Sequence, residues 1–236
     1  MFPGFIWRNT NSADLGVRIT EYPPIVRPKE RVTQITVPGR QGILTLPEAE
    51  QPVYESYLKN VKCWFGPEAH REQILSWLQG SGQLVMGNEP DRVYRARIIN
   101  QIDFEQLLKR KEYREFTVPF LCEPLKGQYP EEDTIEITAS GSSIFNPGNV
   151  PAYPVITLYG SGNIMLVTGG GAVSLASISE GIILDWDAQE CTSLDQGTLL
   201  NSKVTGDPQS LPVGNSLITW TGSVSRLLIK PNWRWL

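Results

Sequence analysis

The sequence offers one histidine, His70, for nucleophilic or general-base chemistry. A Ser-His or Cys-His catalytic pair would have to use this residue. It begins His70–Gln79, a segment with the apolar spacing of an amphipathic helix, and Glu72 and Gln73 follow closely. The sequence contains no Gly-x-Ser-x-Gly motif. These observations favour a solvent-facing histidine, so we predict no nucleophilic catalytic site and no enzyme activity.

The triplet Asp185-Trp186-Asp187 is the most site-like feature of the sequence. On a strand its two carboxylates would share one face, about 6.5–7 Å apart at the backbone. Such a pair serves glycoside hydrolysis, and a nearby tryptophan suits sugar binding, but Trp186 would point to the opposite face. A calcium site that added Asp195 would lack the EF-hand spacing. We favour a strand end with two solvated aspartates and a buried indole.

Two glycine-rich runs, Gly160–Gly162 and Gly169–Gly171, are the candidates for phosphate loops. Neither precedes a helical pattern, and neither is followed by the Gly-Lys-Ser/Thr that a phosphate loop needs. We therefore predict that both runs form hairpin turns.

The three cysteines, Cys63, Cys122 and Cys191, are widely separated and form no Cys-x-x-Cys pair. With only one histidine in the chain, a zinc site and a disulfide framework are both unsupported. We expect three reduced thiols in the core, and we predict no metal and no cofactor.

The composition favours a β-rich protein of two domains. Hydrophobic residues make up 40% and charged residues only 19%, which is typical of packed β-structure. Residues 1–130 contain 17 lysine and arginine residues against 15 acidic ones, whereas residues 131–236 contain 4 against 10. This break predicts domains at 1–130 and 131–236.

The net charge of −4 gives no general attraction to nucleic acid. The basic run Lys109-Arg110-Lys111 is predicted to be a solvated loop rather than a nucleic-acid patch, because no second basic cluster accompanies it. The N-terminus lacks a signal-peptide pattern, and no stretch approaches the roughly 20 apolar residues of a membrane span. We expect production in a cytoplasm and no membrane insertion.

Alternating apolar and polar residues predict the strands of the N-terminal half: Leu15–Tyr22, Arg31–Val37, Val53–Phe65, Gln83–Gly87, Val93–Phe104 and Glu115–Leu121. Ile74, Leu75 and Leu78 predict one amphipathic helix between Pro67 and Gly80. Residues 23–47 hold five prolines and four basic residues, a composition that favours an extended arm over a core strand.

After a linker at Glu123–Asp133, the C-terminal half shows short apolar runs between turn signals, which predict a sandwich or jelly roll. The predicted strands are Thr134–Ala139, Val155–Tyr159, Ile164–Thr168, Ala172–Ala176, Gly181–Trp186, Leu217–Trp220 and Ser225–Lys230. Trp233 and Trp235 would be costly in water, so we expect them to pack on the body or on a neighbour.

Short motifs in both halves carry a family resemblance. They are Phe5–Asn9, Ser12–Val17, Arg31–Leu44, Arg95–Ile102, Phe116–Phe120, Pro154–Ile156, Gly160–Gly162, Leu211–Asn215 and Lys230–Trp235. In order and spacing, over nearly the whole chain, they resemble the distal tail protein (Dit) family of long-tailed, non-contractile phages (siphophages).

The resemblance implies a mainly β, β-rich α+β fold: an N-terminal β-sandwich with one helix and an extended hairpin or arm, and a galectin-like jelly-roll C-terminal sandwich. It implies that the N-terminal domains form a hexameric ring at the distal tip of the virion tail. That ring would lie between the tail tube protein and the tail-tip, tail-associated lysin and receptor-binding proteins that mediate host adsorption. The C-terminal domain would project outward.

Two other functions compete with the ring. A carbohydrate-binding module or adhesin that contacts host cell-wall glycans would need exposed aromatic residues on one sheet face of residues 134–236, with Trp186 and Trp220 as candidates. A cell-wall hydrolase is motivated only by Asp185 and Asp187.

Overall fold

The computed structural model describes residues 3–49, 52–99, 101–106, 113–131 and 133–236. Strands predominate in these residues, which confirms the predicted mainly β class. The chain divides into two compact units, Met1–Tyr129 and Pro130–Trp235. None of the helices in the described part of the chain combines the length and apolar character needed to cross a membrane.

Among its described residues, the N-terminal unit contains ten strands, a short 3-10 turn at Ser12–Leu15 and one α-helix. They are β1 (Phe5–Trp7), β2 (Thr10–Asn11), β3 (Val17–Glu21), β4 (Val32–Ile35), β5 (Leu44–Pro47), β6 (Tyr57–Phe65), α1 (Arg71–Trp77), β7 (Ser81–Met86), β8 (Glu89–Ile98), β9 (Glu105–Gln106) and β10 (Arg114–Gln128).

The main sheet of this unit has the order β2-β1-β7-β8-β10-β6-β3, and β9 adds to β10. The neighbouring strands pair antiparallel. The alternation predicted for β6 is present: Val61, Cys63 and Phe65 are buried, whereas Lys62 between them is exposed. One face of the sheet therefore supplies the core.

Helix α1 packs on this core through Ile74, with Leu78 directly after its last turn. Leu75 was predicted to share the apolar stripe, but it is 45% exposed, because a residue one position from Ile74 is rotated about 100° around the helix. Trp77 is held by two reciprocal hydrogen bonds: its indole N–H donates to the Trp7 carbonyl at 3.0 Å, and the Trp7 indole donates to the Trp77 carbonyl at 3.2 Å.

The C-terminal unit contains nine strands and a short 3-10 turn at Asn201–Lys203. The strands are β11 (Ile135–Ile137), β12 (Ser142–Asn146), β13 (Val155–Thr168), β14 (Gly171–Ile178), β15 (Gly181–Asp185), β16 (Glu190–Thr192), β17 (Val204–Thr205), β18 (Gly214–Lys230) and β19 (Arg234–Trp235).

Two long strands, β13 and β18, pair with each other and organise the C-terminal unit. The first half of β13 pairs with β15 and its second half with β14, while β18 pairs with β12 and then with β11. The register between β13 and β18 shifts where Gly160–Gly162 lies. The two halves of each strand contribute to one core, as in a sandwich whose strands bend from one layer into the other.

This arrangement corrects the predicted strand list. Gly160–Gly162 is not a hairpin turn but a bend within β13, and the predicted strands on either side of it are one strand. A Cβ on Gly160 would lie 2.4 Å from the Ser223 carbonyl oxygen, so glycine is needed for the close approach of β18. Gly169 and Gly170 do form the predicted hairpin connection, between β13 and β14.

The tryptophans near the end of the chain belong to the C-terminal core. Of the two predicted possibilities, packing on the body or on a neighbour, the structure shows the first. Trp233 is 6% exposed, and Trp235 packs against the same cluster. Trp186, at 3% exposed, also lies in this core.

Candidate assembly surface

The most distinctive feature of the N-terminal unit is a two-stranded hairpin, which we call the arm (residues 24–49 and 52–56). Strands β4 and β5 form its outer part. Its base is closed by backbone hydrogen bonds from Arg31 N–H to the Val53 carbonyl at 2.7 Å and from Glu55 N–H to the Lys29 carbonyl at 2.8 Å. The predicted arm at 23–47 therefore contains both strands of this hairpin, β4 and β5, and the hairpin continues beyond it to residue 56.

Exposed apolar side chains concentrate on the arm. Seven of the fifteen large hydrophobic residues that are exposed in the described part of the chain lie there: Ile25, Val26, Ile35, Val37, Ile43, Leu46 and Val53. A monomeric soluble protein rarely exposes such a concentration of apolar surface without a partner to cover it.

The outer part of the arm has two different faces. Thr33 lies opposite Leu46, and Ile35 lies opposite Leu44, so that Ile35, Leu44 and Leu46 share one face. The polar pair Gln34 and Thr45 lies on the other face, beside the pair Val32 and Pro47. A lone two-stranded hairpin is at best marginally stable in water. Its apolar face is therefore suited to packing on another protein surface.

Ion pairs add little to the stability of the arm. Lys29 lies 3.9 Å from Glu55, and Arg31 lies 3.6 Å from Glu48. All four side chains are more than one third exposed, and exposed pairs of this kind contribute about 0–1 kcal/mol.

A buried charged cluster lies beside the root of the arm. Lys59 on β6 and Lys126 on β10 are 3% and 6% exposed. Lys126 Nζ lies 2.9 Å from Glu89 Oε1, and the Tyr94 hydroxyl donates to the other oxygen of that carboxylate. Lys59 Nζ donates to the Pro24 carbonyl at 3.3 Å and lies 4.8 Å from the centre of the Tyr94 ring.

Burial dominates the electrostatics of this cluster. It lowers the pKa of Lys59, with the Glu89 carboxylate opposing that change. Burial also raises the pKa values of Tyr57 and Tyr94. The hydrogen bond between Tyr94 and Glu89 raises the pKa of Tyr94 further. The Tyr57 hydroxyl is buried and has no hydrogen-bond partner among the described residues. The Glu89 carboxylate is paired with Lys126, so Lys59 has no carboxylate partner of its own within the cluster.

The residues that were considered for catalysis or metal binding occupy the following positions. His70 is exposed, directly before α1, and its ring makes no hydrogen bond within the described ranges. Cys63, Cys122 and Cys191 are buried free thiols, as expected. Among the residues that the structure describes, no group of three or more His, Cys, Asp or Glu side chains is placed to hold a metal ion.

The Asp185-Trp186-Asp187 triplet has a structural role. Strand β15 ends at Asp185, whose Oδ1 accepts hydrogen bonds from the N–H groups of Asp187 and Ala188 at 3.0 and 2.9 Å. Asp187 is ion-paired with Arg234 at 2.6 Å instead of being simply solvated. The two carboxylates thus belong to a turn, not to one strand face as a carboxylate pair would require.

The tryptophans considered for sugar binding belong to the core. Trp186 is buried, and Trp220 is half-buried against the same cluster. The basic run Lys109-Arg110-Lys111 lies outside the described residues.

Comparison with solved structures finds a match to this fold over the whole chain. The matching structure is that of the Dit protein (gp 19.1) of SPP1, which is described as a paradigm of the hub adsorption apparatus in phages that infect Gram-positive bacteria. It matches with a TM-score of 0.76 and 14% sequence identity, covering 100% of both chains.

The particular fold is therefore that of a siphophage distal tail protein, which confirms the resemblance seen in the sequence at the level of the fold. No protein-family model matches the sequence, and no curated protein matches it either. At 14% identity, the likeness extends to the fold alone.

Proposed function

We propose that this chain is a structural, non-enzymatic protein of a phage tail tip. Its N-terminal unit would assemble into a hexameric ring at the distal end of a long non-contractile tail. The ring would join the tail tube protein to the tail-tip, tail-associated lysin and receptor-binding proteins of the host adsorption apparatus. The protein would be made in the host cytoplasm and carried in the virion.

The observation that carries this proposal is the apolar face of the arm. Ile35 and Leu46 are 41% and 42% exposed on one side of a two-stranded hairpin. When each copy extends an arm onto the next, the interface is heterologous, and it closes into a ring if the rotation between copies divides 360°. The full-length likeness to a hub protein supports the same assignment.

The arm's two faces provide a matched test. We expect Ile35→Asp with Leu46→Asp to leave the chain folded but to abolish the ring, because two charges would be buried where apolar side chains pack. Gln34→Asp with Thr45→Asp places the same charges on the opposite face of the same strands and should leave the ring intact. Native mass spectrometry gives the number of copies, and circular dichroism verifies folding.

Equal ring formation by both double variants would contradict an assembly role for this face. Loss of the ring in both would show that charge on the hairpin, and not burial of one face, decides assembly.

A further inference from the structure

We propose that Lys59 is the positioning residue that anchors the arm to the core of the N-terminal unit. Its buried ammonium would hold the carbonyl of Pro24 and so fix where the arm projects. That this placement serves contact with a second copy rests on the proposed function, but the anchor itself does not.

The place of Lys59 in the sheet makes the residue unusual. Lys59 lies opposite Phe120 in the β6–β10 pairing. It shares one face of β6 with Tyr57 and Val61, so it points to the core face. A buried ammonium costs free energy unless its donors are used. Its one hydrogen bond within the described residues goes to the root of the arm, at 3.3 Å.

The root of the arm needs a donor of this kind. Pro23 and Pro24 follow β3 after one intervening residue, Tyr22, and proline has a backbone carbonyl but no N–H. The root therefore cannot be attached through its own backbone donors at these positions. Pro23 is buried, whereas residues 24–27 are exposed, so Lys59 contacts the chain at the first exposed residue of the arm.

The neighbouring groups surround the Lys59 ammonium but do not replace the Pro24 carbonyl as its hydrogen-bond acceptor. The Glu89 carboxylate is engaged by Lys126 and by the Tyr94 hydroxyl. The Tyr94 ring lies below the Lys59 ammonium at 4.8 Å, a geometry that favours a desolvated cation. Lys59 is thus left with the Pro24 carbonyl as its hydrogen-bond acceptor.

The second buried lysine, Lys126, provides a control for a substitution of Lys59. Lys59→Met keeps the length and apolar packing of the side chain but removes the donor and the charge. Lys126→Met makes the same change at a lysine near the same ring, 5.5 Å from its centre, that donates to Glu89 rather than to the arm. Spin labels on Arg40→Cys, at the arm tip, and on Gln83→Cys, on β7, report the distance between arm and body at monomeric concentration.

We expect the label distance to be narrowly distributed in the parent protein and broadly distributed in Lys59→Met. The melting temperature of Lys59→Met should be unchanged or raised, because an incompletely neutralised buried charge is removed. Lys126→Met should keep the narrow distribution and melt at a lower temperature, because Glu89 loses its partner. Lys59→Arg, which keeps a donor, should retain the narrow distribution.

A narrow distribution in Lys59→Met, or equal broadening in both methionine variants, would overturn the anchor, and so would failure of Lys59→Met to fold. Ring formation is read separately by native mass spectrometry. If the parent protein forms no ring, the proposed function fails while the distance measurement still decides the anchor.

Discussion

Cys63 and Cys122 face the core of the N-terminal unit from neighbouring strands, at 1% and 0% exposed. Burial raises the pKa of each thiol from 9.0 to about 12. In the unfolded chain the thiols lose their protons near pH 9, whereas in the folded chain they keep them. The unfolded state therefore binds fewer protons above pH 9, and the unit loses stability as the pH rises.

We expect this loss to reach about 1.4 kcal/mol per thiol between pH 8 and pH 10. The double variant Cys63→Ala/Cys122→Ala should start from a lower free energy of unfolding but lose less of it over that range. Lys59, whose pKa is lowered, acts in the opposite direction, and its charge interacts with the Cys122 thiol, so the contribution of Cys63 is the more direct measure of a buried thiol. Urea titrations at the two pH values measure the difference.

The control is Cys191→Ala, because that thiol belongs to the C-terminal unit. It should leave the pH dependence of the N-terminal unit unchanged. Parallel losses in the double variant and the parent protein would contradict a role for the two buried thiols.

For single residues, the sequence predicted burial better than contacts. The alternation around Val61 and Cys63 placed the core face of β6 correctly, and the same period puts Lys59 on that face. A lysine within an apolar pattern carries no signal of its partner, because its partners lie on β8 and in the arm. The roles of Asp185 and Asp187 were likewise hidden, since a turn with Arg234 nearby depends on tertiary contacts.

At the scale of elements, the Gly169-Gly170 connection between β13 and β14 is a closely packed turn. A Cβ on Gly170 would lie 2.5 Å from the Ser210 carbonyl oxygen and 2.9 Å from the Ser210 nitrogen. These are backbone atoms, which cannot move aside as a flexible side chain can. Position 170 of the turn therefore needs glycine for space.

We expect Gly170→Ala to lower the free energy of unfolding by about 1–3 kcal/mol, because the added methyl group forces the backbone apart. Gly197→Ala is the matched control, since its Cβ would meet nothing closer than the Asp195 carboxylate at 3.4 Å. The control should change stability by less than about 0.5 kcal/mol. Thermal unfolding of both variants measures the effect, and equal melting temperatures would contradict it.

The strand pattern illustrates why element boundaries were the weaker part of the prediction. Val155–Tyr159 and Ile164–Thr168 were each recognised, but the glycines between them indicated a break. Glycine permits a turn and a bend within a strand equally well. Only the partner strand distinguishes the two, and β18 lies more than fifty residues away.

At the scale of the whole molecule, the two units have different characters. The charge break near residue 130 in the sequence lies beside the boundary between Tyr129 and Pro130 in the structure. We assign the ring to the N-terminal unit because the arm belongs to it. The C-terminal unit keeps its large aromatic residues mainly in its core.

The central claim is that copies of this chain close into a ring. Electron-microscope class averages of the purified protein, together with its mass in solution, test that claim most directly. A hexamer of 26.4 kDa chains has a mass of about 158 kDa, and we expect closed six-fold particles of that mass. A monomer that persists across a wide range of concentrations, with no closed particles, would contradict it.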